Sequence, residues 1–122
     1  MTKNIWTESE IIEKSRSAEK EVPQGNMRYS ILNLGEHCTL SCSHIANPSG
    51  FPLHLHQYHD EIIVILEGGG EVVVGDEHRI IEKGGLYFVP RGTPHTARMA
   101  CRVLSVYSPA FDMDNPDRTF LE

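Results

Sequence analysis

Cysteine is scarce in this sequence: Cys38, Cys42 and Cys101 are the only three in 122 residues. An odd number at irregular spacing builds no disulfide framework and suits a reducing compartment, so all three are expected as free thiols. A basic excess is lacking too. The formal net charge is -6 and the Lys and Arg residues are scattered, which argues against nucleic acid or an anionic membrane as the main partner. No apolar run approaches the length of a bilayer span, and the N-terminus is polar and charged where a signal peptide would need an apolar stretch. A cytoplasmic protein with a small-molecule or protein partner is expected. The length suits one ordinary domain, able to bury roughly two-thirds of its unfolded surface around a single core.

Helical periodicity is confined to the start. Thr7-x-x-Glu10 has the spacing of a capping box ahead of Ile11-Ile12, predicting a short helix over 8–19. Ile5, Trp6, Ile11 and Ile12 give it a thin apolar face, so residues 1–22 form an N-terminal segment expected to pack on the outside of the domain. The breaker cluster Pro23-Gln24-Gly25-Asn26 ends it. Beyond it, short extended runs rich in Val, Ile, Leu and Tyr predict strands near 27–34, 37–45, 53–57, 61–66, 71–74, 78–81, 86–89, 95–99 and 102–107. Gly and Asn-Pro clusters punctuate them. Many short, evenly spaced strands predict an all-β antiparallel sandwich or barrel over 23–110. The acidic, proline-punctuated stretch after Ser108 has no periodicity. Residues 111–122 are expected as a C-terminal arm, with Phe111 and Phe120 pinning it to the barrel or to a partner subunit.

The chemistry concentrates in His54-Leu55-His56-Gln57-Tyr58-His59-Asp60-Glu61. Side chains alternate along a strand, so His54 and His56 point the same way and Leu53 and Leu55 the other. Glu61, at the mouth of the following apolar strand, can reach the same place. His59 sits among Gln57, Tyr58 and Asp60, in what reads as a polar turn, and is expected beside the site rather than in it. Cys38-x3-Cys42-x-His44 has the residue types of a zinc site, but one strand cannot fold around an ion without a turn.

Two longer patterns accompany these residues. His54, His56, Glu61 and Gly68 fit H-x-H-x4-E-x6-G, and Gly84, Pro90, Gly92 and His95 fit G-x5-P-x-G-x2-H, with fifteen residues between Gly68 and Gly84. In both motifs the chain resembles a small single-domain cupin. Two departures stand out: the glycine before the first histidine, Gly50, is closer than usual, and Met99 replaces the asparagine that often follows the late histidine. Arg98-Met99-Ala100-Cys101 also holds no Gly or Asn, so the last two strands are expected to pair differently from the typical barrel.

The resemblance implies an antiparallel double-stranded β-helix, or jelly roll, with His54, His56, Glu61 and His95 binding one divalent transition metal. It also implies a homodimer. Three imidazoles and one carboxylate suit Fe, Mn, Ni, Co or Zn and suit calcium badly. From strand parity Ile63, Ile65, Ala97 and Met99 are expected to form an apolar wall around the ion, with His44 and Tyr107 as further pocket residues. Glu61 is the candidate catalytic group, able to exchange a proton as well as bind metal.

The fold leaves the function divided, since such barrels host unrelated chemistries. A small metalloenzyme acting on a small organic molecule is the leading expectation. Dioxygenase-type oxidoreductase chemistry is preferred within it because the expected wall is apolar. A redox-neutral isomerase, lyase or epimerase is the alternative, and a non-catalytic binding or sensing module a third. No segment of helix-turn-helix size precedes the barrel in this sequence, which favours the enzyme over the sensor.

Overall fold

The computed structural model describes residues 3–18 and 20–122. Helix α1 (Glu8–Arg16) starts at the capping box: the Thr7 side chain accepts from the Glu10 N–H, and the Glu10 carboxylate accepts from the Thr7 N–H. It ends at Arg16, short of the predicted residue 19, with Ser17 as C-cap. Eleven strands follow: β1 (Lys20–Val22), β2 (Met27–Leu34), β3 (Thr39–Ile45), β4 (His54–Leu55), β5 (Asp60–Glu67), β6 (Gly69–Val74), β7 (Glu77–Glu82), β8 (Leu86–Val89), β9 (His95–Arg98), β10 (Cys101–Ser108) and β11 (Thr119–Phe120). Nine of them fall on the predicted runs. The other two, β1 and β11, are short strands paired to longer ones, and nothing local marks them.

Two antiparallel sheets face one another. One has the order β1-β2-β3-β10-β5-β8 and the other β11-β4-β9-β6-β7, so the fold is the expected jelly roll. The core lies between them, with Met27, Tyr29, Ile45, Ile63, Ile65 and Val103 packed against Val72, Ala97 and Phe51. The alternation of inward and outward residues along β10 is complete from Cys101 to Tyr107, as a sheet with one face on the core requires. Outside the six-stranded sheet, Ile11 of α1 packs on Cys42 and Leu66. The Trp6 indole donates to Asn33 at 2.7 Å, and Ile5 stays exposed. No helix among the described residues is long and apolar enough to cross a membrane.

Strands β9 and β10 do not form a hairpin. β9 pairs with β4 and β6 in one sheet and β10 with β3 and β5 in the other, so the chain changes sheets across Met99-Ala100. Gly50 makes the corresponding corner possible on the other side of the site. Its φ is +87°, and a Cβ there would sit 1.9 Å from the Ala97 carbonyl oxygen, so only glycine lets this loop close on β9 and bring His54 opposite His95.

Candidate metal centre

The two sheets contribute unequally to one end of the barrel. From the five-stranded sheet come His54 on β4, His56 just after it and His95 on β9; from the six-stranded sheet comes Glu61 on β5. His54 and His95 are directly paired across β4 and β9, with ring centroids 4.1 Å apart. One ring nitrogen from each of the three histidines lies within 4.8 Å of the others. The Glu61 Oε1 is 3.1 Å from the His56 Nε2 and 3.3 Å from the His95 Nε2. All four side chains are buried, His95 at 1% exposure and Glu61 at 4%.

Their hydrogen bonds decide what these groups can do. Each Nδ1 is directed at a backbone carbonyl: His54 at Pro52 (2.8 Å), His56 at Asp117 (2.6 Å) and His95 at Thr93 (3.0 Å). A carbonyl can only accept, so each ring carries its proton on Nδ1 and turns the Nε2 lone pair inward. There the His56 and His95 Nε2 atoms and the Glu61 Oε1 are buried without a hydrogen-bond partner. Buried polar atoms left unpaired are costly, and several converging lone pairs make a cation site. Burial, together with the neighbouring His95 and His56, lowers the His54 pKa to about 3, so this ring is neutral at ordinary pH. Burial alone would raise the Glu61 carboxyl; a second proton on His56 or His95, donated from Nε2, would outweigh it and hold the group well below the usual carboxylate range, and a cation bound between neutral rings would act on it in the same direction. Three neutral imidazoles form a site compatible with a divalent transition metal, and the ionised carboxylate beside them adds an oxygen donor.

Beside His54, Glu61 and His95 lies a cavity of about 50 Å³, room for a few water-sized groups. Ile63 and Ala97 line it as expected from strand parity, and Tyr107, the candidate on the last strand, lines it too. His44, Ile65 and Met99 do not. His44 shares a strand face with Leu40 and Cys42, but that face turns out towards α1; the inward residues of β3 near the cavity are Ser43 and Ile45. Parity puts His44 and Cys42 together correctly, but it cannot say which face is the inside. Ile65 is inward yet lies deeper in the core, and Met99 packs its side chain against Gly70 at the change of sheets. All three cysteines are free.

The lining is more polar than the apolar wall expected from the sequence. Ser43, Thr96, Ser105, Tyr87, Tyr107 and Arg118 join the apolar residues. Tyr107 is opposite Glu61 in the β10–β5 register, and Tyr87 is opposite Ile63 in the β5–β8 register. Burial, and after it the Glu61 carboxylate, raises both phenols well above their ordinary value, so they stay protonated. Tyr87 was not legible because Leu86, Tyr87, Phe88 and Val89 offer either face equally to an apolar core.

Sequence reasoning also missed Asp117 and Arg118. The Asp117 carbonyl receives His56, and its carboxylate accepts from the Gln57 N–H at 3.0 Å, the Tyr58 N–H at 2.7 Å and His59 Nδ1 at 2.7 Å. His59 thus stands beside the site, tied to the C-terminal arm. Phe111, at 2% exposure, packs edge-on to His56 and near Tyr107. No local signal marks Asp117 or Arg118, because they reach the site only through chain that folds back from about sixty residues downstream.

Comparison with known proteins agrees with this arrangement. Residues 44–107 match the profile of the cupin domain. Quercetin 2,3-dioxygenase of Bacillus subtilis is 39% identical over 49 residues, 40% of this chain and 14% of that protein. The chain spans about half, or less, of the length of the curated relatives it matches. Among solved structures, KdgF from Halomonas superposes with a TM-score of 0.68 at 21% identity, over 80% of this chain and 92% of that one. Pac13 from Streptomyces, a nucleoside dehydratase solved with uridine, gives 0.72 at 15% identity over 99% and 92%. Likeness at such identities shows the fold alone. The sequence match, however, covers more than half of the chain and contains His54, His56, Glu61 and His95, so the chain belongs to the cupin family.

Proposed function

We propose that the protein is a metalloenzyme that binds one divalent transition metal through His54, His56, His95 and Glu61 and carries out redox-neutral chemistry, an elimination or isomerisation, on a small organic molecule. One observation carries the metal: the His56 and His95 Nε2 atoms and the Glu61 Oε1 converge, buried and unpartnered, while the Nδ1 of each histidine is held by a carbonyl. An ion held there would polarise a substrate oxygen as a Lewis acid. The rest falls to the chain's own groups. The Tyr107 and Tyr87 phenols, kept protonated by burial, can donate a proton or a hydrogen bond to a developing oxyanion. The Ser43 and Ser105 hydroxyls can hold substrate oxygens.

Tyr87, Tyr107, Ser43, Ser105 and Arg118 in the lining favour proton-transfer chemistry over the dioxygenase expected from an all-apolar wall. The dehydratase activity of the Streptomyces neighbour is in keeping with that choice. Dioxygenase chemistry remains the second reading, favoured by the local match to quercetin 2,3-dioxygenase. A homodimer, carried along from the family resemblance, is to be checked by light scattering, and a cytoplasmic location is carried along from the composition of the sequence. The decisive test loads apo-protein with Zn(II) or Fe(II) and offers small carbonyl and hydroxy compounds while oxygen uptake and product are followed. Turnover with zinc under anaerobic conditions is expected, because zinc has no accessible redox chemistry. Turnover confined to Fe(II) with matched oxygen consumption would overturn it in favour of the dioxygenase.

A further inference from the structure

One cation lines the cavity, and it has no carboxylate to itself. Acidic residues outnumber basic ones, 17 to 11, and Arg16, Arg28, Arg91, Arg98 and Arg102 each pair with an Asp or Glu. Arg79 and Arg118 pair with none among the described residues, and of the two only Arg118 lines the cavity. Its guanidinium instead lies 5.9 Å from the centre of the Phe51 ring, half-buried and in the cavity wall. A contact at that range leaves the N–H edge of the guanidinium free, the edge that grips a carboxylate with two parallel hydrogen bonds.

The position is held from both sides. Asp117 is fixed by three contacts to the Gln57–His59 turn, and Thr119 and Phe120 pair with Leu55 and His54 as β11. Leu121 donates its N–H to the Leu53 carbonyl at 2.9 Å. The arm therefore presents Arg118 at the site as a built feature, not as a side chain on a loose tail. Glu61 is the only carboxylate in the lining, so a divalent ion held there would leave the lining with net positive charge that an anionic ligand offsets; zinc would then add to the preference that Arg118 sets rather than create it.

We infer that Arg118 anchors the ligand of this cavity and that the ligand is a small organic carboxylate. This rests on the cavity being the substrate site, but not on the identity or presence of the metal. The cavity's inner volume of about 50 Å³ suits a small carboxylate. Selectivity comes from the N–H fork of Arg118, which the Phe51 ring flanks.

The test uses pyruvate and its neutral amide, pyruvamide, titrated calorimetrically into the full chain, once after chelation and once loaded with Zn(II). Pyruvate is expected to bind at least about tenfold more tightly than pyruvamide in both forms, the worth of a charge-assisted hydrogen-bond pair. Arg118→Gln should erase that preference and leave pyruvamide binding unchanged, and Arg118→Lys should restore part of it. A preference that survives Arg118→Gln, no binding of either probe, or tighter binding of inorganic phosphate than of pyruvate would each overturn the assignment. Loss of pyruvamide binding in Arg118→Gln together with a lowered melting temperature would show a structural role and overturn it as well. Zinc content of the wild type, measured separately, tells failure of the metal centre from failure of the anion site, because the chelated titration does not depend on zinc.

Discussion

The strands and the C-terminal arm build the same site by different means. His54, His56, Glu61 and His95 stand on or beside β4, β5 and β9, where ladder hydrogen bonds and the register of two sheets fix each Cα. Asp117, Arg118 and Phe111 are delivered by chain with little ladder of its own, held by side-chain contacts and by the two-residue strand β11. Strand placement distributes the task of holding a ligand over many backbone bonds, so a single substitution removes the ligand and leaves the frame standing. Arm placement concentrates it, so one substitution at Phe111 or Asp117 should loosen everything the arm supplies.

Substitution tests that contrast, beginning with the largest effect. His56→Ala and His95→Ala should abolish bound metal while the β-sheet circular dichroism persists; elemental analysis decides, and retained stoichiometry would break the strand half of the comparison. Phe111→Ala should lower stability by about 3–5 kcal/mol in urea melts, because a ring buried against His56 and Tyr107 leaves a cavity. Acid should act on the strand half in chelated protein. The His54 pKa falls from 6.5 to about 3 on folding, so the unfolded state binds more protons between those values and stability drops as pH falls from about 6.5 towards 3. A flat melting temperature across that window would contradict the buried, neutral ring. Asp117→Asn should weaken metal binding about tenfold, as loss of a group that orients a ligand does, by slackening the turn that carries His56. His44→Ala, outside the cavity, should change metal content not at all and stability by less than about 0.5 kcal/mol.

What could be read beforehand follows the same division. The spacing of His54, His56 and Glu61 is a local property of one strand and the turn after it, and His95 follows a turn whose Pro90 and Gly92 stand at fixed distances from it, so periodicity and motif reach all four. Parity likewise put Ile63 and Ala97 in the wall. It misplaced His44, because alternation sorts a strand's residues into two faces without saying which one the barrel encloses; α1 covers the face that carries Cys42 and His44. The acidic, proline-broken composition of the tail was a fair sign of an arm, and its two phenylalanines a sign of anchoring. Nothing in it says that Asp117 would receive the Nδ1 proton of His56 or that Arg118 would enter the cavity.

By itself, then, the sequence determined the strand rhythm, an antiparallel all-β sandwich or barrel and the shared face of His54 and His56, because these depend on residues within a turn or two of one another. Its two motifs of fixed spacing carried the resemblance that implied the jelly roll and the full set of four donors. The tertiary structure alone decided the change of sheets at Met99-Ala100, the inward face of β3, the presence of Tyr87 and the closing of the site by Asp117 and Arg118. These depend on which surfaces meet once both sheets have closed around the core, and pairings between residues some sixty positions apart leave no trace in local periodicity.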